Sequence, residues 1–207
     1  MARAASTKGQ TRIQREKTEA ILEAALEVFA TYGFRGATID QIAAQSGLSK
    51  PNILYYFDGK EAIHAELLNR LLTTWLEPLK HLGDSDAPVD EICAYVARKL
   101  AMSRDYPRES RLFANEIIQG APRILIELEG QLKTLTDDKA ALIQSWSDTG
   151  KINPIDPYHL IFSIWATTQH YADFDVQVRA VLSDKADSRF DQAAAFLDTM
   201  YRATLTP

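Results

Sequence analysis

One cysteine, Cys93, stands in a chain of 207 residues, which excludes an internal disulfide framework. No apolar run approaches the roughly 18 residues a bilayer-spanning helix requires. The opening MARAASTKGQTR is basic but has no apolar h-region, so no secretory signal is expected and a cytoplasmic address is. The four histidines, His64, His81, His159 and His170, show no metal-ligand spacing with one another or with Cys93. A Gly-rich phosphate loop, a nucleophile elbow and an H-E-x-x-H motif are all missing, so no metal, cofactor or enzymatic activity is expected. Asp156, His159 and Ser163 form a triad only on paper, because all three would sit on one helix.

Period-2 alternation never lasts more than a few residues, and there is no internal repeat or low-complexity tract, which leaves an all-α chain. Apolar residues at Ile21, Leu22, Ala25, Leu26, Phe29 and Ala30 follow helical spacing, with Gly33 able to end that helix in a left-handed cap. Thr38 precedes IDQIAAQ as an N-cap, and Gln41 completes a capping box. This second helix, about two turns long, stops at Ser46-Gly47. Ser49 is expected to cap the next helix, with Pro51 in its first turn. Asp58 and Glu61 repeat the capping-box spacing and open a longer helix to about Lys80. Pro88, Pro107, Pro122 and Pro157 mark further starts, and Gly83, Gly120 and Gly150 further ends. The implied helices run roughly 88–105, 107–119, 122–149 (with Gly130 as a possible break), 157–173 and 187–204, about nine in all.

Charge is unevenly divided. Residues 1–60 hold eight basic against six acidic residues (+2), and the remainder fifteen against twenty-two (−7), although the whole chain is at −5. Only the N-terminal part is therefore suited to a polyanion. Two short helices joined by a glycine-containing turn match a helix-turn-helix unit, whose second helix enters the DNA major groove. On that helix Leu54 and Phe57, with Leu48, Ile42 and Ile39, are expected to form the buried seam. Lys50, Asn52, Tyr55 and Tyr56 are left for the other face. Asn can bond adenine bidentately, Tyr hydroxyls and Lys ammonium groups reach phosphates, and a helix N-terminus at Ser49 and Lys50 favours an anion. Spacing alone also allows a small helical subdomain whose tyrosines pack at the margin of its core.

The run ILEAALEVFATYGFRGATIDQIAAQSGLSKPNILYYFDGKEAI resembles the DNA-binding domain of TetR-family transcriptional regulators. Phe29, Gly33, Thr38, Ile42-Ala43, Gly47, Ser49, Tyr55, Tyr56, Phe57, Lys60 and Glu61 stand where that pattern puts them. The resemblance implies three DNA-binding helices, a fourth that connects them to a larger helical ligand domain, and a homodimer made by the last two helices. It divides the chain into a basic arm at 1–17, a helix-turn-helix domain at 18–62 and a ligand-binding and dimerisation domain at 63–207. By resemblance Thr38 and Lys60 touch the DNA backbone, Tyr55 and Tyr56 contact phosphates, and Lys50, Pro51 and Asn52 face base edges. Arg12 and Arg15 precede the first helix, as a DNA-approaching arm or as a solvated tail. The implied partner is double-stranded DNA carrying a near-palindromic operator.

The segments TWLEPLK, SRDYPRESRLFANEIIQGAP, KAALIQSW and KINPIDPYHLIFSIWATTQHYADF are similar to the C-terminal domain of pyrimidine-responsive members of that family. This implies uracil or thymine as the effector that releases the regulator, mainly a repressor, from its operator. In the 157–173 helix Ile161, Trp165, Gln169 and Ala172 share one stripe. A Gln amide can match the adjacent N–H and C=O of a pyrimidine while an indole covers its ring. Equally, Trp165 could be core and Gln169 could bond a backbone group or lie at a dimer interface. Trp75 and Phe113 are further candidates for the ligand wall. The alternatives are a TetR-family repressor answering to another small apolar ligand, or a helical protein-interaction domain.

Overall fold

The structure, a computed structural model, describes residues 12–207 and divides into two compact units that meet in sequence between Leu67 and Leu68. Arg3 and Lys8 of the expected basic arm lie outside the described residues. Every regular element among the described residues is helical.

The first unit begins with α1 (Arg12–Gly36), which buries Ile21, Leu22, Ala25, Leu26 and Phe29 on one face. Gly33 breaks the helix at φ 66°, ψ 171°, a positive-φ conformation that L side chains rarely adopt, and a further turn carries it to Gly36. The expected stop at Gly33 is thus present, though with an extended ψ in place of a left-handed helical one, and a separate short turn follows across the kink. In α2 (Ile39–Ser46) the capping box forms as expected. The Thr38 hydroxyl oxygen accepts from the Gln41 N–H at 3.2 Å, and the Thr38 N–H donates to Gln41 Oε1 at 2.8 Å. Gly47, left-handed at φ 68°, ψ 14°, closes α2 and makes the turn into α3 (Lys50–Tyr56).

The interior side of α3 differs from the expected seam. Ile53 is fully buried, with 0% of its surface exposed, whereas Leu54 is 46% exposed and Leu48, Ile39 and Phe57 are half-buried. In a seven-residue helix one 100° step decides which side chain meets the core. Burying Ile53 places Phe57, four residues on, on the same side. Leu54 is turned outward. Ser49 precedes α3 without making a side-chain cap bond, which is a second departure.

The helix α4 (Gly59–Lys80) contributes its first turns to this unit. The His64 ring packs edge-on against Phe29 and Phe34, with centroids 4.7 and 4.9 Å away. The Lys60 ammonium donates to the carbonyls of Phe34 and Ala37, both at 2.9 Å, and lies 4.6 Å from the centre of the Phe34 ring.

The second unit comprises the rest of α4 with α5 (Pro88–Asp105), α6 (Pro107–Ile118), α7 (Leu125–Glu127), a π-turn at Leu128–Leu132, α8 (Lys133–Asp148), α9 (Pro157–Asp173), α10 (Asp175–Leu182), a 3₁₀ segment at Ser183–Ser188 and α11 (Arg189–Leu205). Its core joins Leu79, Tyr95, Trp146, Ile161, Ile164, Leu197 and Tyr201, and α5 packs chiefly against α9 and α11. Pro107 and Pro157 open their helices as expected. Pro122 does not, because the chain turns through Ala121 at φ 53° before α7 begins. That turn is tied by buried Glu116, whose carboxylate accepts from the Arg123 N–H at 2.8 Å and from Arg123 Nη1 at 2.9 Å. The break near Gly130 is the π-turn. The helix α10 is additional to the expected set. Its eight residues, DVQVRAVL, begin without a side-chain cap, so neither a start signal nor a long period announced it.

Candidate functional site

Two groups of candidate residues occupy different units. In the first, α3 presents Lys50, Pro51, Leu54 and Tyr55 to solvent, the last 74% exposed, with Asn52 and Tyr56 half-buried beside them. The two tyrosine rings pack edge to face with centroids 5.1 Å apart, which fixes both directions at little entropic cost. No hydrogen bond within the described residues engages the Asn52 amide, the Ser49 hydroxyl or either tyrosine hydroxyl. These groups remain available to an outside partner. Lys50 Nζ pairs with Asp40 Oδ2 at 3.0 Å on an exposed surface, where water and salt weaken the pair and an anion can displace it. Arg12 likewise pairs with Glu16, at 2.7 Å.

Thr38 and Lys60 are placed differently. Both engage the fold, one capping α2 and the other holding the carbonyls at the end of α1. Each sits at a helix start, but their polar atoms are already partnered. Leu54 is the surface residue that spacing misassigned. It lies one turn from Lys50 and adds an apolar contact of the kind a thymine methyl takes. The signal was Ile53, whose burial on a helix this short forces Leu54 outward.

In the second unit Trp75, Phe113, Trp165 and Gln169, from three separate stretches of sequence, line one cavity. Helix α4 supplies Leu72, Trp75, Leu76 and Leu79, α5 supplies Tyr95 and Lys99, α6 Phe113, α9 Trp165 and Gln169, and the π-turn Leu132. Most of the wall is apolar, as in small-molecule sites generally. The Trp165 indole N–H donates to the Tyr95 hydroxyl at 2.7 Å, which locks the indole in place. Burial raises the Tyr95 phenol far above its ordinary value, with the Trp165 bond pulling the other way, so it stays protonated. The Gln169 carboxamide makes no hydrogen bond to the described residues.

Lys99 was not anticipated. Its side chain is 3% exposed on the same wall, its ammonium lies 5.3 Å from the centre of the Trp75 ring, and burial lowers it to about 8, against a smaller opposing pull from Asp173. The Trp75 indole N–H is buried without a partner. In the sequence Lys99 sits in ARKLAMSRD, where the adjacent Arg98 and Lys99 look like a solvated face, and only the placement of Trp75 from α4 over it reveals it as interior.

The paper triad dissolves. The Asp156 carboxylate caps α9 by accepting the His159 N–H at 2.9 Å, while the Ser163 hydroxyl contacts the Leu160 carbonyl at 2.7 Å and the Tyr201 hydroxyl at 3.2 Å. Among the described residues no cluster of His, Cys, Asp or Glu could hold a metal ion, and no helix is long and apolar enough to cross a membrane.

Family comparison matches both units. Residues 21–67 match the model of bacterial regulatory proteins of the tetR family, and residues 68–207 match that of the YcdC-like protein C-terminal region. The chain belongs to the TetR family. It is 51% identical over 176 residues to the HTH-type transcriptional regulator RutR of Escherichia coli K12, covering 85% of this chain and 83% of that protein. Among solved structures, AibR in complex with isovaleryl coenzyme A and operator DNA superposes with a TM-score of 0.69 at 20% identity, over 89% of this chain and 97% of AibR. A TetR-like regulator from Rhodococcus sp. RHA1 gives 0.67 at 20%, over 94% and 98%. At such identity these structures speak for the fold alone. The TetR-family chain is a transcriptional regulator, which binds DNA and a small-molecule effector, and not an enzyme.

Proposed function

We propose that this TetR-family protein regulates pyrimidine utilisation from the cytoplasm, mainly as a repressor, and that uracil or thymine releases it from a near-palindromic operator. The observation that carries the effector assignment is the convergence of Trp75, Phe113, Trp165 and Gln169 on one small cavity, in a chain half identical to RutR. A planar ring fits between aromatic walls. The unpartnered Gln169 amide offers a donor and an acceptor side by side, which matches an N–H/C=O edge and rejects analogues lacking it. Aromatic walls on both sides and a single carboxamide suit a planar polar ring better than a long acyl chain.

On the DNA side, Lys50, Pro51, Asn52 and the outward Leu54 meet base edges, while Ser49, Tyr55 and Tyr56 meet phosphates. Thr38 and Lys60 act at the DNA backbone from helices whose starts they also fix. Two copies associate through exposed Phe162 and Phe196 on α9 and α11, and the two-fold axis sets the symmetry of the operator. Trp75 lies on the same continuous helix as Lys60. Effector contact there shifts the population between DNA-competent and DNA-free states, to the extent of its differential affinity for the two.

Anisotropy titration of the full-length protein against its own upstream region, at stated salt and with and without uracil, tests this. Specific binding abolished by uracil or thymine is expected. Failure to bind any site more tightly than bulk DNA would sink the regulator role. Release only by larger apolar compounds would keep the DNA role and remove the pyrimidine.

A further inference from the structure

We propose that Lys99 and the indole N–H of Trp75 form a two-donor clamp that holds a carbonyl edge of the effector, distinct from the edge matched by Gln169. The clamp rests on the cavity being the effector site, as proposed above. Lys99 is a buried cation whose ammonium makes no hydrogen bond or ion pair with the described residues and lies over the face of the Trp75 ring. Trp75 Nε1 is buried and equally unpartnered. Both side chains line the cavity, from α4 and α5, while Gln169 comes from α9. A buried donor left without an acceptor carries its full desolvation penalty, and a buried charge carries more.

The structural explanation for such a lysine is a buried ion pair, but Asp173 does not supply one. Its carboxylate accepts from the Ser110 hydroxyl, and it acts on Lys99 only at a distance. The other groups that line the cavity with Lys99 are uncharged, among them Trp75 from α4, Phe113 from α6, Leu132 from the π-turn, and the protonated Tyr95 one turn back on α5. The polar inventory of the wall is therefore rich in donors, with Lys99, Trp75 and one side of the Gln169 amide facing a single amide acceptor. A ligand satisfying it presents at least two acceptors and one donor. A pyrimidine-2,4-dione, with an N–H between two carbonyls, has that pattern, and a carboxylate-bearing ring satisfies the clamp as well.

Calorimetric titration of the full-length protein with uracil, a one-carbonyl pyridone and a ring carboxylate tests the clamp in wild type, Lys99→Met, Trp75→Phe and Gln169→Ala. Loss of a charge-assisted bond weakens uracil binding about ten- to a hundredfold in Lys99→Met. Trp75→Phe keeps an aromatic face but removes the N–H together with the pyrrole half of the indole; the loss is about tenfold for uracil and smaller for the pyridone, and it carries the test should Lys99→Met fail to fold. The pyridone, with one acceptor fewer, loses less than uracil does. Wild-type affinity falls from pH 7 to pH 9 as Lys99 gives up its proton. The Lys99→Met profile stays flat relative to it, because titration of the ligand itself is common to both.

Uracil affinity unchanged within twofold in both Lys99→Met and Trp75→Phe would overturn the clamp and leave the pyrimidine assignment standing. Tight binding of the carboxylate alone, lost in Lys99→Met, would uphold the clamp and remove the pyrimidine. Binding of none of the three probes to wild type would overturn both.

Discussion

The DNA-facing unit and the cavity-bearing unit keep their functional groups ready by opposite means. On α3 the asparagine, serine and tyrosine groups are unpartnered because water satisfies them, so the fold loses nothing by leaving them out of its own network. In the second unit Lys99 and the Trp75 N–H are unpartnered behind an apolar wall, where water cannot easily stand in. A surface built to recognise DNA is nearly neutral for stability, whereas a cavity built to recognise a small polar ring destabilises the empty protein.

The largest effect that separates the two comes from neighbouring residues on α3. Ile53→Ala is expected to destabilise the first unit by about 2–5 kcal/mol in chemical denaturation, as for other fully buried aliphatic truncations. Leu54→Ala should change stability little while weakening operator binding. Equal destabilisation by both would mean that α3 is rotated relative to the arrangement described above.

In the second unit the expected sign reverses. Lys99→Met should stabilise the protein at pH 7 by about 1–3 kcal/mol, since an apolar chain of similar length replaces a buried cation. Folding depresses Lys99 from its ordinary 10.5 to about 8. The unfolded chain therefore holds more protons between those values, and wild-type stability should rise with pH across that window. In Lys99→Met that rise should disappear from the thermal midpoints, and a variant less stable than wild type at pH 7 would contradict the contrast. Saturating ligand acts in the same direction: uracil at a hundred times its Kd should stabilise the wild type by about 2.7 kcal/mol.

Smaller effects fall on the DNA side. Asn52→Ala should cost about 1–3 kcal/mol of operator affinity and relax specificity at one base position, with the melting temperature nearly unchanged. Thr38→Ala removes the capping box of α2 and should lower stability by about 1 kcal/mol. Asp40→Ala frees Lys50 from an exposed pair, which should alter stability by no more than about 0.5 kcal/mol and tighten DNA binding at low salt.

Much of this was legible in the chain because it is local. The capping box at Thr38 and Gln41, the left-handed Gly47 and the helix starts at Pro88, Pro107 and Pro157 each depend on a few consecutive residues. Gly33 and Gly130 were marked as interruptions, though their outcome, a kink and a π-turn, depends on what the flanking turns pack against. The α3 face was misread at Leu54, because on two turns of helix Ile53 and Leu54 are equally apolar and only packing within the first unit chooses between them. The helix α10 has no cap of its own and was not legible.

The sequence by itself determined that the chain is all-helical, where most of its helices start and stop, and that a short polar helix follows a glycine turn near the N-terminus. Those properties follow from dihedral preference, side-chain period and capping, which act over a handful of residues. Tertiary structure alone decided that Trp75, Phe113, Trp165 and Gln169 meet around one cavity and that Lys99 is buried beside them. Burial is a property of neighbours from distant parts of the chain, and the charge of a lysine says nothing about which neighbours it will have.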